Sequence, residues 1–150
     1  MSPVAESPPV QYGVLLFPGF QALDDFGPLD ILNFLSQTAP VHLSIIAPTL
    51  GPVSTQVQAM SHTIGQSVVP THSLDNPPKD LDVLLVPGGK GTRELELTEP
   101  LVEYLRATYP KLRYLLTVCT GSSLAARAGI LDGKKATSNK IAFKWVSQIG

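Results

Sequence analysis

The stretch that decides the fold reads Tyr114-Leu115-Leu116-Thr117-Val118-Cys119-Thr120-Gly121-Ser122-Ser123. An apolar run typical of a buried strand ends directly at Cys119, and small residues then open a helical segment at 124–128. A thiol on such a sharp turn is pushed out of the sheet, and the helix N-terminus favours its thiolate form. In an arbitrary protein, a lone cysteine at a strand end is more often a small buried hydrophobe. The strand-turn-helix context favours a nucleophile at Cys119 instead. We expect its φ to be positive, because the flanking strand and helix hold it in a strained conformation.

Apolar runs alternate with amphipathic segments along the rest of the chain. They predict strands at 12–17, 41–47, 82–86 and 114–118, a hairpin at 53–57 and 64–69, and helices at 28–37, from about 98, at 124–128 and at 139–148. In the first helix, Leu29, Leu32 and Leu35 are expected to face the sheet, with Ile31 and Phe34 widening the apolar stripe. Strands rich in Val and Leu between such helices predict an α/β protein with a doubly wound, mostly parallel sheet and helices on both faces.

Composition limits the kind of partner. The 150 residues fit one domain, expected at 11–150, behind a flexible N-terminal tail at 1–10. Eleven basic and twelve acidic side chains, with a pI near 6.3, give no electrostatic reason to expect a nucleic acid or a membrane as partner. One cysteine forms no intramolecular disulfide, and no Cys/His cluster has zinc-ligand spacing. The sequence therefore predicts a metal-free, cytoplasmic protein that acts on a small molecule.

In a doubly wound sheet, ligands collect outside the carboxyl ends of the strands. The loops expected at that edge are 18–25, 87–91 and 119–122. Gly88 and Gly89 could point backbone N–H groups at a negative charge beside Cys119, although a plain tight turn fits their spacing equally well. Of Asp24 and Asp25, one is expected to cap the following helix, and the other to face the pocket and act as an acid.

The remaining candidates carry less weight. His42, His62 and His72 lie in or near strands far from Cys119 in sequence and are expected to be structural. No histidine follows Cys119. Neither the Gly88-Gly89 loop nor the segment 129–136 matches the phosphate-binding P-loop pattern, which excludes that class of nucleotide site.

With these residues in view, the sequence resembles the ThiJ/PfpI superfamily of class I glutamine amidotransferase-like proteins. Within it, the likeness is to the isocyanide (isonitrile) hydratases and their fungal relatives. The segments that carry the resemblance are LFPGFQALD at 16–24, VPGG at 86–89, TVCTG at 117–121 and AGILDGKKAT at 128–137. The resemblance implies a flavodoxin-like fold with a nucleophile elbow, Cys119 as the nucleophile and Asp24, rather than Asp25, as its acidic partner. The residues expected to bind substrate or stabilise an oxyanion are Gly88, Gly89, Thr120 and Gly121.

The sequence departs from the pattern of this superfamily in two places. Members with a Cys-His pair usually carry the histidine just after the segment that here reads Ala136-Thr137-Ser138, but this chain has Asn139. An amide cannot act as a base, which weakens the case for a protease-like triad. Relatives also continue well beyond the last predicted helix, so we expect the chain ending at Gly150 to be a fragment or only part of a longer protein.

These observations leave three functions open. The first is cofactor-free hydration of a small electrophile, in which Cys119 attacks an isocyanide and Asp24 handles the protons, to give an N-substituted formamide. The second is a glyoxalase-like conversion of a 2-oxoaldehyde. The third is non-catalytic, with Cys119 as a redox sensor or the domain as a ligand-binding module. The resemblance further implies a homodimer.

Overall fold

A computed structural model describes residues 7–57, 60 and 64–149. Its strands are β1 (Gln11–Leu15), β2 (His42–Ala47), β3 (Val53–Ser54), β4 (Ser67–Val68), β5 (His72–Ser73), β6 (Val83–Val86) and β7 (Tyr114–Thr117). Its α-helices are α1 (Ala22–Leu35), α2 (Leu95–Thr108), α3 (Gly121–Arg127) and α4 (Phe143–Val146). Short 3₁₀ helices lie at Lys90–Arg93 and Tyr109–Lys111. No helix in this part of the chain is long and apolar enough to cross a membrane.

The main sheet has five strands in the order β5-β2-β1-β6-β7, and every neighbouring pair is parallel. The predicted hairpin is a separate antiparallel pair in which β3 lies against β4. Strands linked by helices into a parallel sheet make this the predicted flavodoxin-like α/β fold. The sequence analysis missed only β5 among the strands of the main sheet, because two residues, His72 and Ser73, are too few to show a pattern.

The strand order also places the helices and the functional edge. The chain moves from β1 through α1 to β2 in one direction, and from β6 through α2 to β7 in the other. Because such crossovers are right-handed, α1 and α2 lie on opposite faces of the sheet. The direction changes between β1 and β6, so the loops that follow these two strands meet at a topological switch point.

Burial follows this layering. Val14 and Leu15 of β1, Leu84 and Val86 of β6, and Leu124 of α3 are fully buried. Side chains on both faces of the two central strands are therefore covered, as expected for a parallel sheet between two helical layers. The outer strand β7 is different, since Tyr114 and Leu116 remain about half exposed.

The first helix departs from the prediction in two ways. It begins at Ala22, six residues before Pro28, so that Pro28 lies inside the helix. A proline favours the first turn of a helix, which is why the sequence pointed to a later start. The predicted wide apolar stripe is also wrong: Leu29 is buried, but Ile31 and Phe34 are 69% and 67% exposed.

The two ends of the domain also differ from expectation. Ser7 O accepts a hydrogen bond from Arg113 Nη2 at 2.8 Å, and Val10 N–H donates to Asp82 Oδ2 at 2.8 Å. Residues 7–10 of the predicted flexible tail are therefore attached to the domain, and residues 1–6 lie outside the described part. The last helix is shorter than predicted, since α4 covers only Phe143–Val146.

Candidate active site

Cys119 lies two residues after the end of β7 and two residues before α3 begins at Gly121. Its φ is +54°, and it is the only residue other than glycine with a positive φ in the described part of the chain. This confirms the strained elbow expected from the sequence. A left-handed conformation is uncommon for a residue with a Cβ, so the surrounding structure must hold Cys119 in place.

Two hydroxyl groups hold the Cys119 peptide. Ser122 Oγ donates to Cys119 O at 3.2 Å, and Ser138 Oγ donates to the same oxygen at 3.1 Å. Ser122 belongs to α3, whereas Ser138 comes from a segment 19 residues further along the chain. The elbow is thereby tied to two different parts of the domain.

Glycines allow the neighbouring loops to approach the elbow. A Cβ built on Gly88 would lie 2.6 Å from Thr120 N, 2.7 Å from Cys119 Cβ and 2.8 Å from Asp24 Oδ2. A Cβ on Gly121 would overlap Val86 O. Real Cβ atoms do not make contacts this short, so both positions require glycine. Gly88 thus lies between the Asp24 carboxyl and the Cys119 side chain.

The two adjacent acids have separate environments. Asp24 is half-buried, and its Oδ2 accepts a hydrogen bond from Gly88 N–H at 3.1 Å. Asp25 is fully buried, and neither of its carboxyl oxygens has a hydrogen-bond partner among the described residues. Burial raises the pKa of Asp25 from 3.8 to about 6, because desolvation disfavours the charged form. Asp24, and not Asp25, is therefore the acid that contacts the Gly88 loop next to Cys119.

Neither acid caps α1, which corrects the expectation from the sequence. The N-cap is Gln21, whose backbone is extended and whose N–H donates to Gly88 O at 2.8 Å. Asp24 and Asp25 both lie in the first helical turn, where a carboxylate interacts favourably with the positive end of the helix. The hydrogen bond from Gln21 links the start of α1 to the Gly88 loop.

The backbone N–H groups predicted to stabilise an oxyanion are mostly engaged. Gly88 N–H donates to Asp24, Gly89 N–H donates to Thr120 Oγ1 at 3.0 Å, and Gly121 N–H donates to Val118 O at 2.8 Å. The Thr120 N–H makes no hydrogen bond among the described residues. Of the four predicted residues, Thr120 is therefore the one whose N–H has no hydrogen-bond partner among the described residues.

The Thr120 hydroxyl has a different task. It is bonded to the backbone of Gly89 and lies 3.2 Å from Thr92 Oγ1, which is itself fully buried. This contact joins the loop after β6 to the elbow after β7. Thr92 was not singled out by the sequence, because a threonine in a 3₁₀ turn carries no pattern that distinguishes it.

A pocket of about 400 Å³ opens onto Cys119. Its lining consists of the end of β7, the elbow, α3 and the segment before α4: Thr117, Cys119, Ser122, Leu131, Lys135, Ala136, Thr137, Ser138 and Asn139. Asp24 does not line this pocket.

Asn139, at the position where members with a Cys-His pair usually have histidine, makes hydrogen bonds to the backbone of the following residues. Its Oδ1 accepts hydrogen bonds from Ile141 N–H at 2.9 Å and Ala142 N–H at 3.2 Å, in the manner of a helix cap. His42 and His72 lie in β2 and β5, which are at the opposite edge of the sheet from β7. His62 lies outside the described residues.

The parallel sheet and the strained cysteine at a strand-to-helix turn place this chain among the α/β proteins that carry a cysteine elbow. A carboxyl group lies close to the same turn, on the other side of Gly88. Comparison with known families is specific: the DJ-1/PfpI family matches residues 12–149. The chain belongs to the DJ-1/PfpI family, which confirms the resemblance drawn from the sequence.

Comparison with individual proteins shows which members of the family this chain is similar to. The chain is 36% identical over 130 residues to the isonitrile hydratase of Pseudomonas putida, covering 87% of this chain and 52% of that protein. It is 34% identical over 61 residues to the deglycase PfpI of Pyrococcus furiosus, covering 41% and 37%. A solved ThiJ/PfpI family protein from Pseudomonas syringae superposes with a TM-score of 0.72 at 30% identity, covering 86% and 50%. The chain thus spans about half the length of the hydratase, and transcriptional regulators also match over shorter stretches.

Proposed function

We propose that this chain carries the nucleophile and the acid of an enzyme that hydrates isocyanides to N-substituted formamides. The observation that carries the proposal is the arrangement of Cys119, held at φ +54°, with Asp24 on the other side of Gly88. The 36% identity to an isonitrile hydratase over most of the chain supports the choice of substrate. A homodimer in the cytoplasm, expected from the sequence, is part of this proposal.

In the first step, the Cys119 thiolate attacks the terminal carbon of the isocyanide, forming the carbon–sulfur bond. Electron density moves onto that carbon, and Asp24 in its acid form gives it a proton. The product is a thioimidate, in which the former isocyanide carbon carries one hydrogen and is attached to Sγ.

In the second step, water adds to the carbon–nitrogen double bond of the thioimidate. One proton of the water moves to nitrogen, with the Asp24 carboxylate positioning the water and relaying the proton. The tetrahedral carbon then expels the Cys119 thiolate, and its hydroxyl proton returns to Asp24. The overall reaction adds one water to the isocyanide, consumes no oxidant or reductant, and restores both groups.

A second candidate, conversion of a 2-oxoaldehyde or its adducts, is favoured by the match to a deglycase over 61 residues. Such chemistry can use the same thiol. Asn139 argues against it, because the amide is occupied by two backbone N–H groups and supplies no base.

The deciding experiment incubates the protein with a panel of small electrophiles, including alkyl isocyanides and methylglyoxal, and identifies products by mass spectrometry. We expect formamides from isocyanides, no turnover by Cys119→Ala, and roughly a 10²–10⁴-fold loss in Asp24→Asn, the range usual for a positioned acid–base group. A folded Cys119→Ala that retains normal turnover would exclude covalent catalysis. Consumption of methylglyoxal without isocyanide hydration would favour the second candidate. Peroxide oxidation of Cys119 without any turnover would favour a redox sensor.

A further inference from the structure

A second pocket of about 400 Å³ adjoins the one that opens onto Cys119. The two pockets share five lining residues: Ser122, Leu131, Ala136, Thr137 and Ser138. Along α3, Ser122 lines both pockets, whereas Ala126 lines only the second. These residues are one helical turn, about 6 Å, apart, so the second pocket extends about one turn further along α3 than the first.

The second pocket is apolar where the first is mixed. The side chains that line it but not the Cys119 pocket include Ala126, Phe143, Val146 and Ile149. Among the described residues that line it, Asp132 is the one with a charged side chain, whereas Lys135 lines only the pocket at the thiol. The Ser138 hydroxyl and the Ser122 hydroxyl on the shared wall both donate to Cys119 O. Those two groups are therefore engaged and add little polarity to the wall that the two pockets share.

We propose that this second pocket, which we name the substituent pocket, holds the group attached to the isocyanide nitrogen and selects substrates with neutral, apolar substituents. This inference rests on the proposed function, because it assumes that the isocyanide carbon is at Cys119. A short linear reactive group at the thiol leaves the substituent free to extend along α3. Apolar surface buried there favours binding, while an anionic end group would lose its hydration and meet Asp132.

The first test is a series of n-alkyl isocyanides from methyl to octyl, with kcat/KM as the readout. Each methylene that enters the pocket should raise kcat/KM by up to about fourfold, and the rise should stop once the pocket is filled. An ω-isocyano carboxylate of matching length should react roughly tenfold or more slowly than its alkyl counterpart. A flat series, or equal rates for the charged and neutral compounds, would overturn the inference.

The second test fills the pocket without touching the thiol. Ser147 is exposed and lines the substituent pocket, so Ser147→Trp should block it from the solvent side while the domain stays folded. We expect this variant to lose the advantage of longer chains, measured as the ratio of kcat/KM for hexyl isocyanide to kcat/KM for methyl isocyanide. Gln148→Trp, which adds the same side chain at an exposed neighbour that does not line the pocket, is the matched control.

A readout that needs no hydratase activity separates failure of this inference from failure of the proposed function. The rate of Cys119 alkylation by N-hexyl chloroacetamide should exceed that by N-methyl chloroacetamide in the unmodified protein and in Gln148→Trp, but not in Ser147→Trp. If this pattern appears without isocyanide turnover, the pocket stands and the proposed reaction fails. If isocyanides turn over but neither substituent length nor Ser147→Trp changes any rate, the reaction stands and the pocket assignment fails. Absence of Cys119 alkylation by both reagents would also overturn it.

Discussion

Two hydrogen bonds to one backbone oxygen, Cys119 O, help to hold the strained elbow in place. A left-handed backbone conformation costs about 1–3 kcal/mol and persists only when neighbouring contacts fix it. Here Ser122 and Ser138 both donate to Cys119 O, while Gly88 and Gly121 remove the Cβ atoms that would push the elbow away. The position of the half-buried Cys119 is thus fixed by close packing on its backbone side.

The first prediction concerns Gly88, which separates Asp24 from Cys119. In Gly88→Ala, the new methyl group would lie within 3 Å of Thr120 N, Cys119 Cβ and Asp24 Oδ2, so one of these must move. We expect a loss of about 1–3 kcal/mol in the free energy of unfolding, measured by urea denaturation, together with loss of most isocyanide hydration.

Gly27→Ala is the control for Gly88→Ala. Gly27 lies within α1, and a Cβ there would have Leu23 Cδ1 as its nearest neighbour at 3.9 Å. Replacing a glycine inside a helix should stabilise the protein by about 0.5–1 kcal/mol. A Gly88→Ala protein as stable and as active as Gly27→Ala would show that the approach of the two loops does not matter.

The second prediction concerns the pH dependence that Asp25 introduces. Its pKa rises from 3.8 to about 6 on folding, so the folded state holds the proton more tightly than the unfolded state. The contribution of Asp25 to stability is therefore most favourable below about pH 3.8, falls as the pH rises towards 6, and stays at its low value above that. At about 1.4 kcal/mol per pKa unit, the total loss is roughly 3 kcal/mol.

Asp25→Asn removes this titration with little change in shape. The free energy of unfolding of the unmodified protein, relative to Asp25→Asn, should fall between pH 4 and pH 7 when both are unfolded in urea. Asp30→Asn, an exposed acid on the same helix, should show no comparable change. A constant difference between the unmodified protein and Asp25→Asn across this range would mean that Asp25 has a partner or water contact that removes the cost of burial.

At the scale of the element, Asn139 lines the pocket at Cys119 and also accepts hydrogen bonds from the backbone just before α4. Asn139→Ala removes the acceptor for two backbone N–H groups, at Ile141 and Ala142, and should lower stability by about 0.5–2 kcal/mol. We expect hydration to fall less than in Cys119→Ala, because the amide orients the chain and handles no proton.

Asn139→Asp is the matched variant, since a carboxylate keeps the cap acceptor and should retain most of the stability lost in Asn139→Ala. Urea denaturation and kcat/KM on the same samples test both effects. A loss of activity in Asn139→Ala as large as that of Cys119→Ala, with stability unchanged, would place the amide in the chemistry.

The elements also show what the sequence could predict. The strand and turn around Cys119 were predictable because a short apolar run, one thiol and small residues act over a few positions. The start of α1 was not, because Gln21 N–H bonds to Gly88 O, 67 residues away, and that contact outweighs the local preference of Pro28 for a helix start. The roles of Ser138 and Thr92 were likewise hidden, since both depend on contacts between distant loops.

At the scale of the whole molecule, the outer surface of α1 is the feature that the fold leaves uncovered. Leu23, Ile31 and Phe34 are 75%, 69% and 67% exposed, and their helical spacing places them along one side of α1. Apolar side chains grouped on one surface are more typical of an interface than of a monomer surface. The homodimer implied by the resemblance would place this side of α1 against its copy, because a two-fold interface uses the same patch on both subunits.

The last prediction follows from that geometry. In the double variant Ile31→Glu, Phe34→Glu, a twofold axis through α1 would bring four added carboxylates together in an apolar interface, whereas in a monomer the same side chains would remain solvated. We therefore expect a dimer for the unmodified protein and a folded monomer for the variant, measured by light scattering coupled to size-exclusion chromatography. Leu50→Glu, at a 58% exposed leucine outside α1, is the control and should leave the dimer intact. If the variant remains dimeric, the interface lies on another surface. The outer strand β7, where Tyr114 and Leu116 are about half exposed, would then be the next candidate.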